Sequence, residues 1–185
     1  MNFGLAGTRL LNFALFQAGW FACVLGAASG RAWLGMGMGL ALVVVHLILV
    51  ARPGREGALL AWALLGGIVI DSVHVRTGAL VFTSGIVHPD FAPPWILVMW
   101  LQFASTLRFS LSWLKGRYVL GSLLGFCAGV LAYAAGVRLG AAQLGPHTVR
   151  SLLQIGIGWS VALPLLLLVA QRTSSPGDWE RYRIF

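Results

Sequence analysis

Residues 118–137 read Tyr-Val-Leu-Gly-Ser-Leu-Leu-Gly-Phe-Cys-Ala-Gly-Val-Leu-Ala-Tyr-Ala-Ala-Gly-Val, a stretch without a single charge. A membrane-spanning helix needs about 20 mostly apolar residues, and this run has that length. Its glycines fall in step: Gly121, Gly125 and Gly129 recur every four residues, and Tyr133 continues the stripe. Lipid tails give helices no hydrophobic reason to associate, so small residues that let backbones approach take over that role. The pattern predicts a helix with a packed glycine face, placed at the centre of a bundle with Tyr133 pointing inward. A second ladder, Ala132, Gly136 and Gly140, runs down its end, and Gly35 with Gly39 makes a shorter one earlier in the chain.

Working outward, five more stretches of this kind appear, at about 9–29, 33–51, 57–75, 93–114 and 151–171. Proline, glycine and charge punctuate them: Ser29-Gly30-Arg31, Arg52-Pro53-Gly54-Arg55-Glu56, Pro93-Pro94, Lys115-Gly116-Arg117, Gly145-Pro146-His147 and Pro176-Gly177. The expected fold is therefore all-α, a polytopic membrane bundle of six helices. Residues 1–171 form one transmembrane domain and 172–185 a short polar tail whose Trp179, Tyr182 and Phe185 rest on the membrane surface. Ala27-Ala28-Ser29 has the small residues of a leader cleavage site, but Asn12 and Gln17 interrupt the apolar run, so the first stretch reads as a retained span.

Composition agrees. The chain has 185 residues, 58% hydrophobic and 10% charged, against roughly 25% charged in soluble domains, and its mean hydropathy is +0.85. That excludes a secreted disulfide scaffold, a nucleic-acid-binding domain and a disordered tail. The net charge of +8 comes from basic residues scattered at span ends, where they orient helices. Arg9, Arg52, Arg55, Lys115, Arg117, Arg172, Arg181 and Arg183 fall on one side, against Arg31, Arg76, Arg138 and Arg150 on the other. The bias predicts both termini in the cytoplasm. Trp33, Trp62, Trp95 and Trp113 lie near span ends, as interfacial aromatic residues do, while Trp20, Trp100 and Trp159 lie deeper. Cys23 and Cys127 both read as buried thiols.

Ionisable groups inside a span are costly and are functional candidates by default. Asp71 lies about 14 residues from the cytoplasmic end of its helix, or about 21 Å up, and Tyr133 lies at a similar depth. An Asp71–Tyr133 hydrogen bond is thus geometrically available, and it would satisfy the carboxyl in packing. The catalytic alternative makes Asp71 or His74, one turn apart, a general acid or base, with Tyr133 orienting it or stabilising charge. His88 and Asp90 in the following loop, with His74, form a candidate metal group, although no HExxH or CxxC occurs and loop-capping explains these residues as well. A second polar group, Gln17, His46 and Arg108, falls in the cytoplasmic half and could receive an anionic headgroup. For Arg108 the favoured reading is snorkelling to the interface. Trp95 and Trp100 complete the candidate substrate-binding residues.

The block Asn12-Phe13-Ala14-Leu15-Phe16-Gln17-Ala18-Gly19-Trp20-Phe21-Ala22-Cys23-Val24-Leu25-Gly26 resembles the opening of domain-of-unknown-function family 2878, a group of uncharacterised bacterial proteins. Ile70-Asp71-Ser72 with Gly78 and Phe82 looks like the same pattern. So do Pro94-Trp95-Ile96 through Trp100, Phe103, Thr106, Ser110, Leu111 and Trp113, and Tyr133-Ala134-Ala135-Gly136 with Leu139-Gly140-Ala141. The likeness covers most of residues 10–170. In that pattern a proline commonly follows the glycine before the tyrosine block. Here Val130 follows Gly129, so no kink is carried over. The resemblance implies a small multi-pass protein of the bacterial inner membrane with no established activity, encoded beside fatty-acid-modifying methyltransferases and flavin-dependent oxidoreductases.

Three roles follow as expectations. The first is a membrane enzyme or enzyme subunit acting on lipid or fatty-acyl groups around Asp71, with membrane lipids as partners. The second is a small transporter or lipid-handling channel, which at this length would dimerise; neither half contains an evidently broken helix or self-similarity. The third is a non-catalytic assembly partner of a membrane enzyme, touched through Arg52/Arg55 and Lys115/Arg117. No nucleic acid is expected, and cofactors stay open: no phosphate loop or dinucleotide-binding fingerprint is present.

Overall fold

A computed structural model describes residues 4–175 and residue 179. Six α-helices are joined by one two-stranded ribbon, in the order α1 (Leu5–Ala28), α2 (Ala32–Leu49), α3 (Pro53–Arg76), β1 (Leu80–Phe82), α4 (Pro94–Ala104), α5 (Tyr118–Arg138), β2 (Ala142–Leu144) and α6 (Thr148–Arg172). Five of the helices, all but α4, are long and apolar enough to cross a membrane. Their outward faces fit that medium: Leu10, Leu34, Ile48, Val69, Leu123 and Leu165 are each more than half exposed, a surface that water would not tolerate. The polar tail expected at 172–185 begins as α6 ends. Trp179 turns back, its indole donating to Ser174 Oγ at 2.9 Å under the ammonium of Lys115. Pro176, Gly177, Arg181, Tyr182, Arg183 and Phe185 lie outside the described residues.

The expected fourth span, 93–114, is helical only as far as Ala104. Hydroxyl groups explain the break, because they compete for the carbonyls a helix would use. Ser105 Oγ donates to the Gln102 carbonyl at 2.7 Å and Thr106 Oγ1 to the Phe103 carbonyl at 2.6 Å. Asn12 of α1 then supports the freed backbone, donating to the Ser105 carbonyl and accepting from the Ser110 amide and hydroxyl. Irregular backbone at membrane depth survives only where protein surrounds it, and Leu107, Arg108 and Phe109 are accordingly buried. The chain turns through a short 3-10 stretch at Ser112–Leu114 before α5 begins. The absence of a broken helix, expected above, is therefore corrected.

The centre of the bundle is α4, not α5. Trp95, Ile96, Val98, Trp100, Gln102 and Ala104 of α4 are all buried, and it packs against α1, α2 and α3. Helix α5 packs chiefly on α6, and its other side, with Val119, Leu123 and Cys127, is exposed. A glycine ladder reports close approach to one neighbour, which is a different matter from being surrounded. The ladder itself is as expected: a Cβ at Gly121 would lie 2.9 Å from Leu167, one at Gly129 2.6 Å from Trp159, and one at Gly125 would run into the Trp159 carbonyl. Replacing Gly125 with valine should therefore separate α5 from α6 and lower the melting temperature clearly, whereas Gly136→Ala, whose Cβ meets nothing within 4 Å, should leave it unchanged. Differential scanning fluorimetry in detergent distinguishes the two.

The ribbon was not expected. β1 and β2 pair antiparallel, with Leu80 opposite Leu144 and Phe82 opposite Ala142. It ties the connection after α3 to the connection after α5. Trp95, expected at the interface, packs beneath it: the indole N–H donates to the Ser84 carbonyl at 3.1 Å and the ring meets Phe82 edge-on.

Candidate functional site

The described residues build two buried polar groups and an aromatic-walled cavity inside the bundle. The first group is built on Asp71, which α3 carries fully buried. Tyr133 Oη of α5 donates to Asp71 Oδ1 at 2.5 Å, as the depth of the two residues suggested, and Trp100 Nε1 of α4 donates to Oδ2 at 2.6 Å. Both carboxylate oxygens thus accept from neutral donors of other helices. Trp100 also stacks on Trp159 of α6, ring centres 4.4 Å apart and planes 15° from parallel. Glycines flank the stack: a Cβ at Gly67 would lie 2.6 Å from Trp100 Cδ1, and one at Gly129 would press on the other indole. Four helices are pinned at one level by these contacts.

His74 takes no part in that carboxylate cluster. Its Nδ1 is 3.0 Å from Gln154 Nε2, and its buried Nε2 has no hydrogen-bond partner among the described residues. Nor does it meet the loop residues proposed with it for a metal. His88 and Asp90 are exposed, His88 Nδ1 standing 3.9 Å from Asp90 Oδ2, and no cluster of three or more His, Cys, Asp or Glu side chains suited to a metal forms among the described residues.

The second group gathers at the opposite end, where α2 finishes and α3 begins. Arg108 is 1% exposed and does not snorkel to the interface as expected. Its Nη1 donates to Glu56 Oε2 at 2.7 Å, its Nε and Nη2 to the Ala170 carbonyl, and its Nη2 to Thr173 Oγ1 at 2.6 Å. Glu56 Oε1 lies 3.0 Å from His46 Nε2. Glu56 went unnoticed because the sequence read 52–56 as a loop. Pro53 instead opens α3, as proline at a first helical position does, and so carries Glu56 into the first turn and the interior. Gln17, expected beside His46 and Arg108, is elsewhere.

Gln17 lines the cavity, which occupies about 580 Å³ between α1, α4 and α5. With it stand Trp20 and Phe16 of α1, Trp95, Trp100 and Phe103 of α4, Tyr133 of α5 and Trp159 of α6. Along α5 the wall runs from Leu124 to Gly136, a length of about 18 Å. Phe82 closes it toward the ribbon, while Trp113 and Leu114 lie at the other end. The α5 edge includes Ala128, Leu131 and Ala132, all exposed, so the opening faces sideways into the bilayer region. Among the described residues, no Lys, Arg, His, Asp or Glu lines it.

The pattern of the family described as "Protein of unknown function (DUF2878)" matches residues 9–165, most of the chain. The protein belongs to that family. The matched stretch spans every described residue that lines the cavity, together with Asp71, Tyr133, His46, Glu56 and Arg108, and stops short of Ala170 and Thr173. Comparison with curated proteins and with solved structures finds no match. Within this DUF2878 protein the residues expected to bind substrate thus separate: Gln17, Trp95 and Trp100 share the cavity wall, while His46 and Arg108 belong to the buried ion network. Of the residues expected to be catalytic, Tyr133 lines the cavity; Asp71 and His74 do not.

Proposed function

We propose that this protein holds the hydrocarbon chain of a membrane lipid in the cavity, as a lipid- or fatty-acyl-associated protein of the bacterial inner membrane with both termini in the cytoplasm. One observation carries the reading: an apolar, aromatic-walled cavity of about 580 Å³ that opens sideways rather than to either aqueous end. Its size falls in the range of about 300–1,000 Å³ usual for small-molecule sites. A chain enters such a site from the bilayer without crossing water.

The polar chemistry at the wall is that of Tyr133, a neutral phenol held by Asp71. Asp71 acts as a positioning residue, because Tyr133 and Trp100 occupy both its oxygens. If the bound chain is modified, the phenol is the group placed to donate a proton or hydrogen bond to it. The excess of Lys and Arg at the end where the chain begins supports the orientation. A second reading, docking of another membrane helix, draws on Ala128, Ala132 and Gly136, small residues spaced in fours along the same opening.

The test is native mass spectrometry of gently purified wild type and Gly136→Phe. A Cβ at Gly136 meets nothing within 4 Å and Gly136 lines the cavity, so the larger ring has the cavity to enter, and an unchanged melting temperature checks that the bundle is kept. Displacing only two methylenes, at about 0.8 kcal/mol each, should reduce retained lipid about tenfold. Equal retention at equal melting temperature overturns the chain reading. A stoichiometric second protein that the variant loses replaces it with helix docking.

A further inference from the structure

Gln17 sits near the middle of α1 (Leu5–Ala28), about 18 Å from one end and about 16 Å from the other. It lines the cavity, and no hydrogen bond joins its amide to any described residue. One turn further along, Trp20 lines the same cavity, and its indole N–H likewise has no acceptor among the described residues. Positions three apart on a helix share a face, so two unpartnered polar groups project from one patch of wall. Elsewhere on the wall, Trp159 Nε1 is a further buried donor without a partner among the described residues and the Tyr133 hydroxyl is taken by Asp71, while most of the remaining surface is hydrocarbon and aromatic ring.

In a bilayer this arrangement is costly, because no water is present to satisfy either group. An amide without a partner in apolar surroundings forfeits the hydrogen bonds that water would have given it. Evolutionary pressure aside, leucine would be the cheaper residue at position 17. The expense is offset if the occupant brings the missing partner.

The chemistry of the two groups defines that partner. An amide donates and accepts, whereas an indole N–H only donates, so the shared partner must offer an acceptor oxygen. It must be uncharged, because no cationic side chain among the described residues lines the cavity and a buried carboxylate or phosphate would be left without a counter-charge. It must also lie deep. The hydrocarbon core is about 30 Å thick, so the ester carbonyls of an ordinary phospholipid lie about 15 Å from the midplane, out of reach of Gln17.

We infer that the cavity selects a long-chain lipid bearing an uncharged oxygen function in mid-chain, a hydroxyl, keto or ether group, held by Gln17 and Trp20. The inference rests on the chain-binding reading above and specifies its ligand. The rest of the cavity then serves the chain on either side of that oxygen: Phe82 and Trp95 toward the ribbon, Trp113 and Leu114 toward the other end.

Competition in detergent micelles tests it. Purified protein is offered equal amounts of phosphatidylcholine esters carrying octadecanoyl chains and their 10-hydroxy and 10-oxo derivatives, and the bound ratio is read by native mass spectrometry. Wild type should favour the oxygenated chains about tenfold, the effect of one or two net hydrogen bonds. Gln17→Leu should bring the ratio to about one while binding the plain ester at least as well. Trp20→Phe, which keeps an aromatic ring and removes only the N–H, should lower the ratio part-way. A wild-type ratio of one with good plain-ester binding overturns this inference and leaves the chain reading intact, as does a preference unchanged in Gln17→Leu. Failure to bind any of the three esters overturns the chain reading itself.

Discussion

Arg108→Met should lower stability by about 3–5 kcal/mol, the usual consequence of removing one partner of a buried ion pair. The guanidinium donates to Glu56 Oε2 at 2.7 Å, and Glu56 is 2% exposed. Without Arg108 the buried carboxylate loses that cation and keeps its contact with His46, and the carbonyl of Ala170 and the hydroxyl of Thr173 at the end of α6 lose their guanidinium donor. For a chain of this size the loss corresponds to roughly 6–20 °C in melting temperature. The double variant Arg108→Met with Glu56→Met should recover much of it, because an apolar pair of similar volume often replaces a buried ion pair without loss. Thermal melts followed by size-exclusion recovery read both effects. A single variant as stable as wild type would return Arg108 to the solvated interface where the sequence placed it.

Asp71→Leu is the second severe change. It leaves the Tyr133 O–H and Trp100 N–H donating to nothing, at about 1–3 kcal/mol for each stranded donor. The loss reaches further than the hydrogen bonds, since Trp100 stacks on Trp159 and both indoles wall the cavity. Asp71→Asn should be much milder. Its carbonyl oxygen still accepts from Trp100, and its NH2 donates to the phenol oxygen once the Tyr133 hydroxyl turns away. The order wild type, Asn, Leu in melting temperature, accompanied by a change in tryptophan fluorescence in the leucine variant alone, is the expected result. A leucine variant that melts with wild type would deny the carboxylate its structural role.

The depth arithmetic that found the Asp71–Tyr133 contact worked because straight helices of known rise convert residue number into height. The same rise put His46 and Arg108 at one level, and both meet Glu56. The snorkelling expected of Arg108 assumed a continuous helix through 93–114, whereas the hydroxyls of Ser105 and Thr106, with Asn12 reaching across from α1, end that helix at Ala104. Those serines and threonines were visible, but whether they break a helix depends on a partner that only the fold supplies. Glu56 was hidden by its neighbours, since Arg52, Pro53, Gly54 and Arg55 look like a solvent loop until proline is seen to open α3.

Small residues gave a similar half-answer. Gly121, Gly125 and Gly129 correctly marked a close helix contact, yet could not say that α6 alone receives it. The cavity was legible only as separate residues. Gln17, Trp20, Trp95, Trp100 and Tyr133 all attracted attention singly, and tertiary packing brings them to one wall. The ribbon of Leu80–Phe82 and Ala142–Leu144 is three residues a strand, too short for an alternating pattern to stand out.

A bilayer chain that occupies the cavity enters it past the exposed α5 edge at Ala128, Leu131 and Ala132. The most direct measurement reconstitutes the protein in vesicles containing a lipid with a photoreactive diazirine in mid-chain, followed by irradiation and peptide mapping. The account predicts labelling concentrated on Trp20 of α1 and on Ala128 and Ala132 of α5, and lost from these sites in Gly136→Phe. Labelling spread over the outward faces in proportion to exposure, at Ile48 and Val69 as much as at Ala132, and indifferent to Gly136→Phe, would contradict it.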